Sequence, residues 1–289
     1  MINIKGAINL AQDEKCSSCG QNSEGCSPDS CGIDKLTQNE YNNIKHVIAV
    51  MSGKGGVGKS SVASLIAVSL ARKGYKVGVL DADITGPSIP KMFGVSGLPD
   101  QGENVMYAKE SARGIKVMSL NLLLENEDMP VIWRGPVIAG AVKQFWTDVA
   151  WGELDYMVVD LPPGTGDVPL TVLQSLPLDG VVIVTSPQDL ANMVVRKAVN
   201  MVNYMNIPVL GFVENMSYLV CPDCGKEIKV FGESHATTLA NSMGLRLIEK
   251  LPIDPVLVSL SDAGKIEDYE KVLFQGLDGI IDQQVTSIS

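Results

Sequence analysis

Residues 48–61 read IAVMSGKGGVGKSS. Within them, Gly53-x4-Gly58-Lys59-Ser60 has the residue types and spacing of a phosphate-binding loop. Such a loop needs glycines, so that backbone N–H groups can wrap closely around an anion. The run Gly53, Lys54, Gly55, Gly56, Val57, Gly58, Lys59, Ser60 and Ser61 would supply that cradle. Lys59 would reach the β- and γ-phosphates, and the Ser60 hydroxyl would ligate Mg²⁺. A helix beginning at the end of the loop adds positive potential. A glycine-rich turn with no ligand is the competing reading. The unbroken order of strand, loop, Lys-Ser and helix argues against it.

Two carboxylate loops follow in an order that suits the same chemistry. VGVLDADITGPSIP places Asp81 and Asp83 at the end of a second apolar stretch, where parallel sheets bind ligands. Asp81 reads equally well as a capping or turn residue, and Asp83 is the better candidate. YMVVD closes at Asp160, the Walker B arrangement of a strand ending in a carboxylate near Mg²⁺. The LPPGTGD stretch after it suits a loop that senses the γ-phosphate through the Gly164 N–H. Asn215, in ENMSYL, has a side-chain amide able to read adenine with two hydrogen bonds. No NKxD guanine motif occurs.

The cysteines form a second chemical theme. Cys221-Pro-Asp-Cys224 puts two thiolates where they can grip one metal centre, but it supplies only half of a four-ligand site. The other half could come from the same loop of a second subunit on a two-fold axis. On residues alone, zinc and an iron–sulfur cluster fit equally. Cys16, Cys19, Cys26 and Cys31 lie in a polar N-terminal stretch, and four thiolates could complete one zinc site or hold one cluster.

These groups must be positioned by a scaffold. The 289 residues are 45% apolar and 19% charged, enough for a core and incompatible with global disorder. Residues 1–44 read as a Cys-rich flexible tail with a linker from about residue 33, and residues 45–289 as the folded domain. Apolar runs at 46–51, 76–81, 115–119, 156–160, 181–185 and 209–214 predict strands covered on both faces. Helical patterns at 59–73, 136–150, 188–205 and 233–243 alternate with them. The expected fold is α/β, a doubly wound, mostly parallel sheet. The last segment has helical apolar spacing at Leu273, Leu277, Ile280 and Ile281 and predicts a helix over the sheet. A net charge of −10 argues against nucleic acid as a partner. No apolar run approaches a membrane span and no secretory leader is visible, so the expected location is cytoplasmic, with reduced cysteines. His46 and His235 read as structural.

The loop KGGVGKS carries a second lysine, Lys54, and so resembles the deviant P-loop of nitrogenase iron protein, MinD, ParA and the arsenite and tail-anchored-protein ATPases. The resemblance implies ATP as the nucleotide, with its adenine ring packed at LPIDP against Pro252, and a homodimer in which Lys54 reaches the partner's nucleotide. It also implies that Asp83 positions the attacking water while Asp81 helps to fix the site. With LDADITGPSIP, WRGP at 133–136, DLPPGTGD, ENMSYLVCPDCG and FGE at 231–233, the chain looks like the Mrp/ApbC/Nbp35 family of ATP-dependent iron–sulfur cluster carriers and scaffolds. That match covers about residues 45–265. It implies ATP hydrolysis used as a switch, expected to be slow because no motif supplies a nucleophile or an arginine finger, and a [4Fe–4S] cluster bridging Cys221 and Cys224 of two subunits. It further implies apo iron–sulfur proteins as clients. The tail spacing departs from the N-terminal four-cysteine motif of Nbp35-type members. The alternatives are a MinD/ParA-type positioning ATPase with a structural zinc at CxxC, and an electron-transfer ATPase resembling nitrogenase iron protein.

Overall fold

A computed structural model describes residues 35–288 except 84, 85, 87, 104, 125–134, 189 and 190. The tail cysteines Cys16, Cys19, Cys26 and Cys31, and Trp133 and Arg134 of the WRGP stretch, lie outside the described residues. In chain order the elements are β1 (Asn42–Ser52), α1 (Lys59–Arg72), β2 (Val77–Asp81), α2 (Ile89–Met92), β3 (Met106–Tyr107), β4 (Lys109–Glu110) and β5 (Lys116–Ser119). Then come α3 (Gly135–Thr147), β6 (Val149–Ala150), β7 (Gly152–Asp160), α4 (Asp167–Ser175), β8 (Gly180–Thr185) and α5 (Ala191–Tyr204). The chain closes with β9 (Val209–Glu214), β10 (Leu219–Val220), β11 (Glu227–Ile228), α6 (Ala236–Ser242), β12 (Leu247–Lys250), α7 (Pro255–Asp262) and α8 (Leu277–Ile288).

The main sheet has the order β12-β9-β8-β1-β7-β2-β5-β4. Its pairs are parallel except for the edge pair β4–β5. This is the doubly wound, mostly parallel sheet expected from the sequence. Side chains of β1 alternate between the two faces. Val47, Ala49 and Met51 enter one apolar core, and Ile48 and Val50 enter the other. The first core is roofed by α3, α4, α5 and α6 through residues such as Val142, Phe145, Leu173, Val199 and Leu239. The second is roofed by α1, α2 and α8 through Val62, Ile66, Ile89, Leu277 and Ile281. Burial on both faces is why these strands are continuous apolar runs rather than alternating ones.

The crossovers from β1 diverge. The chain passes through α1 to reach β2 beyond β7, whereas β7 connects through α4 to β8 beyond β1. Connections leaving on opposite faces open a crevice at the carboxyl ends of β1 and β7. Residues 35–41, read from the sequence as linker, are tied to this body. The Leu36 N–H donates to the Ser175 carbonyl at 2.8 Å, and the Asn39 amide donates to the Thr147 carbonyl at 2.8 Å. Gln38 pairs with both backbone groups of Ile44. These side-chain contacts follow no periodicity, so an apolar-pattern reading cannot find them. β12 was likewise missed, because its four residues are all half-buried at the sheet edge.

Candidate nucleotide and thiol site

The loop between β1 and α1 stands over the crevice. Gly58 caps α1 with φ 74° and ψ 32°, a left-handed conformation, and no side chain caps the helix. The first-turn N–H groups of α1 are therefore left for an anion. A Cβ on Gly58 would lie 2.2 Å from the Asn215 amide nitrogen, so both conformation and space require glycine.

Register brings the carboxylates together. Asp160 of β7 is the Cα partner of Val50 on one side and of Asp81 on the other, and Asp81 pairs with Ser119 of β5. Lys59 is 6% exposed, and its Nζ lies 2.6 Å from Asp160 Oδ1 and 3.4 Å from Asp83 Oδ2. The Ser60 hydroxyl donates to the other Asp160 oxygen. Thus the lysine, the hydroxyl and the Walker B carboxylate, far apart in sequence, meet at one point. Asp81 accepts from the Asp83 N–H and the Ser119 hydroxyl, both at 3.1 Å. Burial, then the neighbouring Asp160, pushes the Asp81 carboxyl well above the usual range, with Lys59 and Ser119 opposing. Burial also raises Asp160, against the pull of Lys59. Asp81 therefore sits inside the carboxylate cluster, buttressed by Ser119, rather than at a helix cap. A hydroxyl beside a carboxylate, with a lysine and an open anion cradle, is a donor set that fits Mg²⁺ and a nucleotide phosphate chain.

The loops expected to touch the nucleotide are also here, engaged with the protein itself. The Gly164 N–H donates to the Ser52 carbonyl at 2.8 Å, joining the loop after β7 to the end of β1. The Asn215 amide donates to the Val57 carbonyl at 2.9 Å, and its oxygen accepts from the Met216 N–H. Asn215 thus braces the phosphate loop, with one amide hydrogen left for another acceptor. Met216 takes φ 58°, a costly conformation for a side chain that is not Gly, Asn or Asp. Pro252 is buried in the segment that runs beside residues 214–219: the Ser217 N–H donates to the Leu251 carbonyl, and the Ile253 N–H to the Tyr218 carbonyl. Lys54 hydrogen-bonds Gln188, in the segment after β8. Gln188, Ser52 and Ser119 were not singled out by the sequence, although each follows or ends a parallel strand at its carboxyl end.

Cys221 and Cys224 occupy the turn of the β10–β11 hairpin. The Cys221 N–H donates to the Lys226 carbonyl at 3.0 Å, and the Gly225 N–H to the Cys221 carbonyl at 2.9 Å. Backbone N–H groups of Cys224 and then Asp223 face the Cys221 sulfur and hold its thiol below the usual value. Cys224 is exposed. Both cysteines are therefore reachable from solvent, and the Cys221 thiol ionises more readily than an ordinary one. Among the described residues, no cluster of three or more His, Cys, Asp or Glu side chains forms a metal site. The two thiols do not complete a centre within the described part of one chain. The hairpin is rooted beside the base loop, since Leu219 bridges to Ile253. It also exposes Val220, Ile228, Val230 and Phe231.

Residues 43–284 match the family model described as ParA, NUBPL iron-transfer P-loop NTPase. The chain belongs to this family. A relative from Clostridium perfringens, named iron–sulfur cluster carrier protein, is 47% identical over 92% of this chain and 97% of its own. One of the same name from Methanocaldococcus jannaschii is 44% identical over 87% of this chain and 88% of its own. A nucleotide-binding protein from Archaeoglobus fulgidus, solved with ADP, superposes with a TM-score of 0.73 at 48% identity, covering 80% of this chain and 91% of that one. The cell division ATPase MinD of Pyrococcus furiosus shares the fold at 18% identity, with a TM-score of 0.53 over 84% and 99% of the two chains. The family places this chain among nucleotide-hydrolysing P-loop proteins. Among the described residues, no helix is long and apolar enough to cross a membrane.

Proposed function

We propose that this chain is an ATP-driven iron–sulfur cluster carrier, acting in the cytoplasm as a homodimer. Cys221 and Cys224 from each of two copies hold one [4Fe–4S] cluster as cargo and release it to apo iron–sulfur proteins. The observation that carries the reading is the chain of contacts that joins the two sites. The hairpin bearing the thiols is rooted through Leu219 and Ile253 in the loops that hold Asn215 and Pro252, and Asn215 grips the phosphate loop at Val57. A change at the phosphates therefore has a short covalent and hydrogen-bonded route to the thiols. The cluster-carrier names of relatives 44–47% identical support the same conclusion.

In this reading Lys59 and the loop N–H groups bind the phosphates of ATP, and Ser60 and Asp160 hold Mg²⁺. The ion supplies neutralisation of charge on the phosphate oxygens. Lys59 is paired with Asp160, so phosphate binding at the lysine would exchange a protein carboxylate for a phosphate. Asp83 orients the attacking water from its place beside Lys59. Asn215 and Pro252 face the base, and the Gly164 N–H leaves Ser52 to meet the γ-phosphate. Lys54 reaches the nucleotide of the second copy. Hydrolysis is slow, a switch rather than a metabolic turnover, since no motif of the sequence supplies a nucleophile or an arginine finger. The four tail cysteines serve as a further metal or cluster site.

The test is transfer. Full-length protein reconstituted anaerobically with iron and sulfide is mixed with an apo [4Fe–4S] enzyme, and recovery of that enzyme's activity is followed. The reading expects recovery that depends on Cys221 and Cys224 and changes in rate with Mg·ATP. Recovery no faster than with free iron and sulfide would overturn it.

A further inference from the structure

The contact between Lys54 and Gln188 is left unexplained by the proposed chemistry. Gln188 lies just after β8 and Val194 in α5, and these two residues meet the phosphate loop at two places. The first is the hydrogen bond from the Lys54 ammonium to the Gln188 side-chain carbonyl. The second is a close approach of backbones. A Cβ on Gly53 would lie 2.6 Å from Val194 Cγ1 and 2.9 Å from the Val194 carbonyl, so only glycine lets α5 come this near. Lys54 is half-buried and Gln188 exposed, so their bond forms at the rim of the site, where either side chain can swing away. We propose that Gln188 is a positioning residue that holds Lys54 in cis, and that losing this contact frees Lys54 to reach into a second copy.

The inference rests on the reading that Lys54 acts in trans. A lysine engaged by its own chain must give up that contact before it serves another, so the cis bond opposes dimer formation by its own net strength. Gln188 then acts on assembly without touching nucleotide, and Lys54 carries the effect.

The experiment measures the dimer dissociation constant by sedimentation equilibrium. It uses full-length, metal-free protein with Mg²⁺ and a non-hydrolysable ATP analogue. Gln188→Ala removes the cis acceptor and is expected to tighten the dimer about 2- to 10-fold, the scale of one net hydrogen bond. Gln188→Glu turns the contact into an ion pair and is expected to weaken the dimer by a similar factor. Both shifts must vanish in a Lys54→Ala background, a readout that a merely structural role of Gln188 would not move. Thermal melting of each variant checks that the fold is intact. Unchanged dimerisation of both Gln188 variants, with Lys54→Ala still weakening the dimer, overturns the latch and leaves the trans reading intact. Shifts that persist without Lys54 also overturn the latch. If Lys54→Ala itself leaves dimerisation unchanged, the trans reading falls, and the latch with it.

Discussion

Lys59 neutralises a buried carboxylate cluster, and removing its charge has a consequence that can be worked out without any nucleotide. In Lys59→Met, the thioether fills a similar volume, but Asp160 loses a cation at 2.6 Å and Asp83 one at 3.4 Å. Asp160 is fully buried and Asp81 is 1% exposed. Breaking a buried pair by removing one partner costs about 3–5 kcal/mol. For a domain of this size each kcal/mol moves Tm by about 2–4 °C, so the expected fall is ~6–20 °C. The deficit must depend on pH. Asp81 and Asp160 are held above their ordinary values chiefly by burial, with Lys59 opposing. For such groups the stability is full below the ordinary carboxylate range and declines as pH rises through the elevated folded values. Without Lys59 both values rise further, and the decline is deeper near neutrality. Melting of nucleotide-free protein by circular dichroism should therefore show a larger deficit at about pH 8 than at about pH 5.5. Lys59→Met/Asp160→Asn should recover at least half of it. A wild-type melting point at about pH 8, or a double variant no better than the single one, would refute the reasoning.

Other outcomes follow from the same geometry. Gly58→Ala forces a side chain into a left-handed conformation and onto the Asn215 amide; equilibrium dialysis should show nucleotide affinity lower by about 5- to 150-fold, on the order of 1–3 kcal/mol. Asp83→Asn should keep nucleotide binding while phosphate release slows about 10²- to 10⁴-fold, the worth of a positioned proton acceptor. Asp254 caps α7 through the Val256 N–H and pairs with Lys271 and Tyr269. Although burial pushes its carboxyl up, those partners outweigh it and hold the group below the usual range. Its stabilisation is therefore present above the ordinary carboxylate value and lost as pH falls through the depressed one. Asp254→Ala should cost about 1 kcal/mol near neutrality in urea unfolding, and less below about pH 4.

Much of this arrangement was legible in the residues. Continuous apolar runs gave the parallel strands because both faces are covered, and glycine with Lys-Ser marked the loop because phosphate binding restricts backbone and charge together. Asp83 and Asp160 could be singled out because ligands gather at the carboxyl ends of parallel strands. Pairwise contacts were not legible. Nothing in the local pattern says that Asn215 grips Val57, that Gln188 meets Lys54, or that Ser119 backs Asp81, because each joins segments distant in sequence through one side chain. Residues 35–41 escaped for the same reason: their attachment runs through the side-chain amides of Gln38 and Asn39 rather than through apolar spacing.

The central claim is that two chains share one cluster through Cys221 and Cys224. Iron and acid-labile sulfide should be counted anaerobically, per chain, in the wild type and in Cys221→Ala/Cys224→Ala. Absorbance and sedimentation should be recorded on the same samples. The account predicts that the double variant loses about two iron and about two sulfide per chain, half of one [4Fe–4S] cluster, together with the dimer that the cluster bridges. Zinc in place of iron, or iron and sulfide unchanged in the double variant, would contradict it.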